Sequence, residues 1–241
     1  MSASGNGEIA RCRPSGHHRA GVTATLLFVG VLLVACARDV PPAIDHPPAV
    51  TPLPIAVGVY YPPEFRTWRC TVRTLHTEEW GRDTVARLYA TADVIGPSQV
   101  AAFDLVFPAM FQVVVPLEAP PPAPAPTGLT ATITVGVDQC LVDIDYDTVN
   151  VGSRGLSSAS ITYRFTLTTP SGEQIATWSV VGSRLPKLEG PFSCIFSCDV
   201  TSGPWLQAAI RDAVAKFVAG FDTEPALAAW RAQLVAPKAP P

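Results

Sequence analysis

Apolar residues alternate with polar ones along several stretches of this chain, and elsewhere they recur at helical spacing. From Leu53 to Tyr60, Ile55, Val57 and Val59 fall on one side, the period-2 pattern of a half-buried strand, and Pro62-Pro63 stops it. A second extended segment is expected over Thr67–Leu75, with Trp68, Cys70 and Val72 sharing a side. Leu129 to Ile144 alternates again through Ala131, Ile133, Val135 and Val137. Ser160 to Val181 reads as a hairpin: Ile161, Tyr163, Phe165 and Leu167 alternate, Thr169-Pro-Ser-Gly172 forms a turn, and a second strand returns through Trp178.

Helical spacing appears twice. Gly96-Pro97-Ser98 is a start signal, after which Val100, Phe103, Phe107, Met110 and Phe111 form one apolar face, with Pro108 expected to shorten or kink the helix. Pro204 to Phe221 repeats Leu206, Ile210, Val214, Phe217 and Phe221, and Thr223-Glu224-Pro225 opens a short helix with Leu227, Trp230 and Leu234. Val113–Val115 reads as a buried strand after the first helix, while Asp83–Tyr89 fits a short helix or a strand equally. The order predicts an α+β domain: a mixed or antiparallel sheet with two main helices on one face.

The first residues follow a different plan. Arg11, Arg13 and Arg19 precede an apolar run from Val22 to Ala35, too short to span a bilayer, which needs about 20 apolar residues. The run ends at Leu33-Val34-Ala35-Cys36, which resembles a bacterial lipobox. The resemblance implies cleavage before Cys36, diacylglycerol on its thiol and acylation of the new amino terminus. An ordinary secretory signal or a single apolar anchor is the plainer alternative. Residues 1–35 are thus expected to be a lipoprotein signal peptide, 36–52 a lipidated cysteine with a proline-rich tether, 53–235 a periplasmic domain and 236–241 a flexible tail. In polyproline form, at ~3.1 Å per residue, the tether from Ala37 to Pro52 would reach about 50 Å. Ala119–Pro126, with few amide donors, reads as an exposed loop inside the domain.

Charge narrows the partners. Removing residues 1–35 takes three arginines and one glutamate from 17 basic and 20 acidic residues, leaving a formal charge of −5. An acidic chain without a basic cluster argues against nucleic acid, and leaves a lipid rather than a polybasic patch to make membrane contact. Four cysteines remain besides Cys12 and Cys36: Cys70, Cys140, Cys194 and Cys198. An even number in an oxidising compartment favours disulfides over zinc, since only Cys194 and Cys198 are closely spaced. Local pairing of those two would leave Cys70 with Cys140.

Residues able to carry chemistry are few. His46 and His76 alone follow the signal, and no nucleophile elbow, metalloprotease helix, phosphate loop or dinucleotide fingerprint occurs. Asp138, Asp143, Asp145 and Asp147 could offer oxygen ligands to calcium, or be carboxylates on a solvated strand. Tyr60, Tyr61, Phe65, Trp68 and Trp80 could line a groove for an acyl chain, or fill the core. Val-Gly-Ser-Arg occurs at Val151–Arg154 and Val181–Arg184, both where strands are expected to end.

Ile55–Phe65, the helix Ser98–Phe111 with Val113–Val115, Ile161–Trp178 and Ala209–Phe217 together resemble a loose group of small envelope lipoproteins. The group comprises the YajG-type lipoproteins, the lipopolysaccharide-assembly lipoprotein LptE, and the amino-terminal domains of the TolB and CsgG kinds. It implies no active site, so no catalytic residue, metal or cofactor is expected. The expectation is a non-enzymatic binding or assembly accessory, lipid-anchored on the periplasmic face of the outer membrane, since Ala37 rather than Asp follows Cys36. Its partner would be an envelope protein, with a lipid ligand as a further option. An auxiliary lipoprotein of a lipid or solute transport system, and an envelope enzyme, are the alternatives.

Overall fold

A computed structural model describes residues 40, 43–80, 83–122, 126–147, 154–188 and 202–235. Along the chain run β1 (Leu53–Tyr60), α1 (Pro63–Arg66), β2 (Arg69–Trp80), β3 (Asp83–Val94), α2 (Gly96–Met110), β4 (Phe111–Leu117), β5 (Ala131–Asp147), β6 (Arg154–Thr168), β7 (Gln174–Leu188), α3 (Gly203–Phe221) and α4 (Pro225–Val235). The seven strands form one mixed sheet, and the domain is of the α+β class.

The long strand β5 organises this sheet. One of its edges pairs antiparallel with β6 from Thr132 to Asp147, and β6 carries β7 on its far side. The other edge is shared by two parallel partners. β1 lies against Ala131–Thr134, and β2 against Leu141–Asp147. Between these partners β5 shifts register at Val137/Gln139, and the chain from β1 to β2 takes the single turn α1. Cys70, the second residue of β2, is bonded to Cys140 just past that shift, so the disulfide seals the place where β5 changes partner. β3 returns antiparallel along β2, and α2 is the crossover that lets β4 join β1 in parallel.

Helices and strands together supply an aromatic core. Phe65, Phe103, Phe107, Phe111, Tyr163, Phe165, Phe217 and Phe221 are all fully buried. Phe165 stacks on Phe217 at 4.3 Å between centroids, and Phe103 meets Tyr163 edge-on at 5.1 Å. One polar path crosses this core. The Tyr163 hydroxyl donates to Gln99 Oε1 at 3.2 Å, and Gln99 Nε2 donates to the Phe65 carbonyl. Gly182 lets α3 approach β7, because a Cβ there would lie 2.1 Å from the Ala209 carbonyl oxygen.

Several sequence expectations change. Asp83–Tyr89, whose residues fit a helix or a strand equally, belongs to a strand because it pairs with β2. Pro108 lies inside the last turn of α2, where little of the hydrogen-bond ladder remains to be lost. Val113–Val115 is not buried. Among the described residues β4 pairs with β1 alone, and Val113 is 48% exposed, so a continuous apolar run here marks an edge. Val181–Arg184 lies within β7 rather than at its end, whereas residues 151–153 lie outside the described residues. The tether stretch is not wholly a free spacer. Val40 and Ala43 are buried in the core at 5% and 1% exposure, and Ile44 packs beside them. The Val40 amide donates to the Val94 carbonyl at 3.2 Å, and Arg211 Nε donates to the Ala43 carbonyl at 3.1 Å.

Candidate functional site

Among the described residues, three strands pair on one side only: β3, β4 and β7. Unpaired strand edges are templates for another chain, so the way each is protected shows where contact is possible. β7 is guarded by α3. Asp212 Oδ2 accepts from the Ser183 amide at 2.8 Å, and Lys216 Nζ donates to the Val181 carbonyl at 3.0 Å. The two side chains also pair with each other at 2.7 Å, one helical turn apart. Partial burial works against the Asp212 charge, but the Lys216 hydrogen bond, the Ser183 amide and the Lys216 charge outweigh it and hold the carboxyl below its usual range. Beyond this guard, Trp178, Val180, Val181, Gly220, Thr223 and Glu224 line an open groove of about 290 Å³.

β4 is protected less. Val114 and Val115 are half-buried beside exposed Val113, and Pro116 withholds one edge donor. Among the described residues, the edge of β3 is blocked at its carboxyl end, where Val40 occupies the Val94 carbonyl.

The residues singled out in the sequence are dispersed. Leu33, Val34, Ala35 and Cys36 lie outside the described residues, as do Cys194 and Cys198. Cys70 and Cys140 are joined, with Cα atoms 4.8 Å apart. Of the acidic residues of β5, two are paired with arginine. Asp143 is held by both Nε and Nη2 of Arg73, at 2.7 and 2.9 Å, and Asp138 pairs with Arg164 at 3.0 Å. No group of three potential metal ligands occurs among the described residues. His76 lies in β2, opposite Arg87 and Tyr146 in register.

Of the aromatics that could line a groove or fill the core, Tyr61, Phe65 and Trp68 belong to the core. Tyr61 and Phe65 are buried and stacked, and Tyr61 donates its hydroxyl to Asp104 at 2.9 Å. Burial first, then the Asp104 charge and hydrogen bond, push the Tyr61 pKa far above its ordinary value despite Arg66 nearby. Trp68 packs against the same core. Sequence reasoning missed the guard on β7. Asp212 and Lys216 were legible as an i,i+4 pair on a helix, but nothing local shows that they reach Val181 and Ser183, some thirty residues away.

No helix of the described residues is long and apolar enough to cross a membrane. No protein-family model matches the chain, and no curated protein matches it. Among solved structures, a putative neuraminyllactose-binding hemagglutinin homolog from Helicobacter pylori matches 79% of this chain and 95% of its own, with 9% identity and a TM-score of 0.38. So distant a likeness carries no argument about this chain.

Proposed function

We propose that this chain is an outer-membrane lipoprotein, anchored through Cys36 on the periplasmic face, that binds a partner of the cell envelope without catalysing a reaction. The observation that carries the reading is the short apolar run ending in Leu33-Val34-Ala35-Cys36. The buried Cys70–Cys140 disulfide supports it, because such bonds persist in oxidising compartments. Binding rather than chemistry is supported by the use of the described polar groups. Asp143 and Asp138 of β5 are paired with Arg73 and Arg164, and Gln99 and Tyr163 satisfy each other inside the core. The open edge of β4, with Val113–Val115, is the surface best suited to an added strand from a protein partner. The test has two parts. Metabolic palmitate labelling must depend on Cys36, and labelling that persists in Cys36→Ala defeats the anchor. Capture from solubilised envelopes, followed by mass spectrometry, should recover a stoichiometric protein with the wild type and lose it with Val113→Lys. A substrate turned over by the purified domain, with activity abolished by one polar-to-alanine change, would defeat the binding role.

A further inference from the structure

The docking of Val40 limits how far the domain can stand from the anchor. Only four peptide steps separate Cys36 from Val40, a reach of at most about 14 Å when fully extended. Val40 does not sit at a neutral place. Its amide takes the Val94 carbonyl, on the side of β3 that faces away from β2. The segment around it is held by the burial of Ala43 and by Arg211 on its carbonyl. The chain therefore reaches the domain at the free edge of β3.

That edge also carries the most exposed large apolar residue among those described. Leu88 is 67% exposed and Tyr89 50%, and Leu75, opposite Leu88 in register, is 36% exposed. Leu88 and Tyr89 are consecutive and so point to opposite faces of the hairpin. An occupant covering one face would leave the other side chain in water, whereas a surface meeting β3 edge-on covers both. Leu88 lies six residues before Val94, about 20 Å along the strand. A plane that passes within reach of Cys36 can therefore run along the whole strand.

We propose that the β2–β3 hairpin rests edge-on on the lipid surface that holds Cys36, with Leu88 and Tyr89 at headgroup depth and Leu75 behind them. The inference rests on Cys36 being lipidated. An aromatic and a leucine at the boundary between water and acyl chain suit that depth, since a tyrosine keeps its hydroxyl wet while its ring is covered. The geometry turns the guarded edge of β7, which lies beyond β6 on the opposite side of β5 from β2 and β3, away from the bilayer and toward the periplasm.

The experiment compares amide hydrogen exchange in the full mature protein, acylated and reconstituted in phosphatidylethanolamine–phosphatidylglycerol vesicles, with the soluble Cys36→Ala form. The mass of the Cys36 peptide is read first. If it carries no acyl chain, the proposed anchor fails and this inference fails with it. If it is acylated, residues 83–94 should exchange about tenfold more slowly on vesicles than in the soluble form, while 174–183 are unchanged. A variant with Leu75→Ser, Leu88→Ser and Tyr89→Ser, still acylated and still disulfide-bonded, should lose that protection. Equal exchange of residues 83–94 in both forms, or protection confined to β4 or β7, would overturn the inference and leave the anchor standing.

Discussion

Single positions show how tightly the helical layer is set against the sheet. A Cβ at Gly182 would lie 2.1 Å from the Ala209 carbonyl and 2.5 Å from the Ala213 methyl, and neither is a flexible side-chain end. Gly182→Ala should therefore push α3 away and lower stability by about 1–3 kcal/mol in urea unfolding. An unchanged midpoint would mean that α3 does not pass so close. Tyr163 makes a different prediction. Complete burial raises its pKa well above the ordinary value, so the folded state is favoured below the unfolded value of about 10 and loses stability as pH rises through it. Tyr163→Phe should cost about 1–3 kcal/mol at neutral pH, through the lost bond to Gln99. It should also flatten the alkaline fall in stability. A fall as steep as that of the wild type would show that Tyr163 is not the group responsible.

Elements are held by a few cross-links that the alternation of residues does not reveal. The Cys70–Cys140 bond spans a sequence separation of 70, for which the chain-entropy model gives roughly 4 kcal/mol. Cys70→Ala with Cys140→Ala should show a loss of that order in denaturant melts. It should also free β2 and β3 for faster hydrogen exchange while β6 and β7 stay protected. Uniform loosening of all strands would contradict a clamp placed where β5 changes partner. On the opposite flank, Asp212 and Lys216 guard β7. The Asp212 carboxyl is held low, so its contribution is present above the unfolded value of about 4 and disappears as pH falls through the lower folded one. Asp212→Ala with Lys216→Ala should therefore promote self-association at neutral pH, as acid should for the wild type once pH falls through the lowered folded value. Sedimentation velocity reads both, and a monomeric double variant would show that the edge needs no guard.

For the molecule as a whole, the proline-rich stretch after Cys36 is part of the fold as well as a connection. Deleting residues 37–46 removes Val40 and Ala43 from the core, and should lower stability by about 1.5–3 kcal/mol for the valine alone. A free spacer predicts no change in Tm on the same deletion. The elements themselves were largely legible in the sequence. β1 runs from Leu53 to Tyr60 as its alternation requires, α3 follows the Leu206–Phe221 spacing, and Thr169–Gly172 turns as expected, with Gly172 at φ 91°. Local periodicity carries that information because a strand or helix shows its buried face in its own residue order. The same order could not decide whether Val113–Val115 was core or edge, or whether Asp143 faced calcium or Arg73. Nor could it show that Val40 would leave the tether for the edge of β3. Each of those outcomes depends on which distant segment lies alongside. β1 and β2 share one edge of β5, α3 crosses β7, and β4 has a neighbour on one side only among the described residues. Such pairings arise between residues tens of positions apart, where burial and hydrogen bonding are settled by the assembled sheet and not by neighbours in the chain.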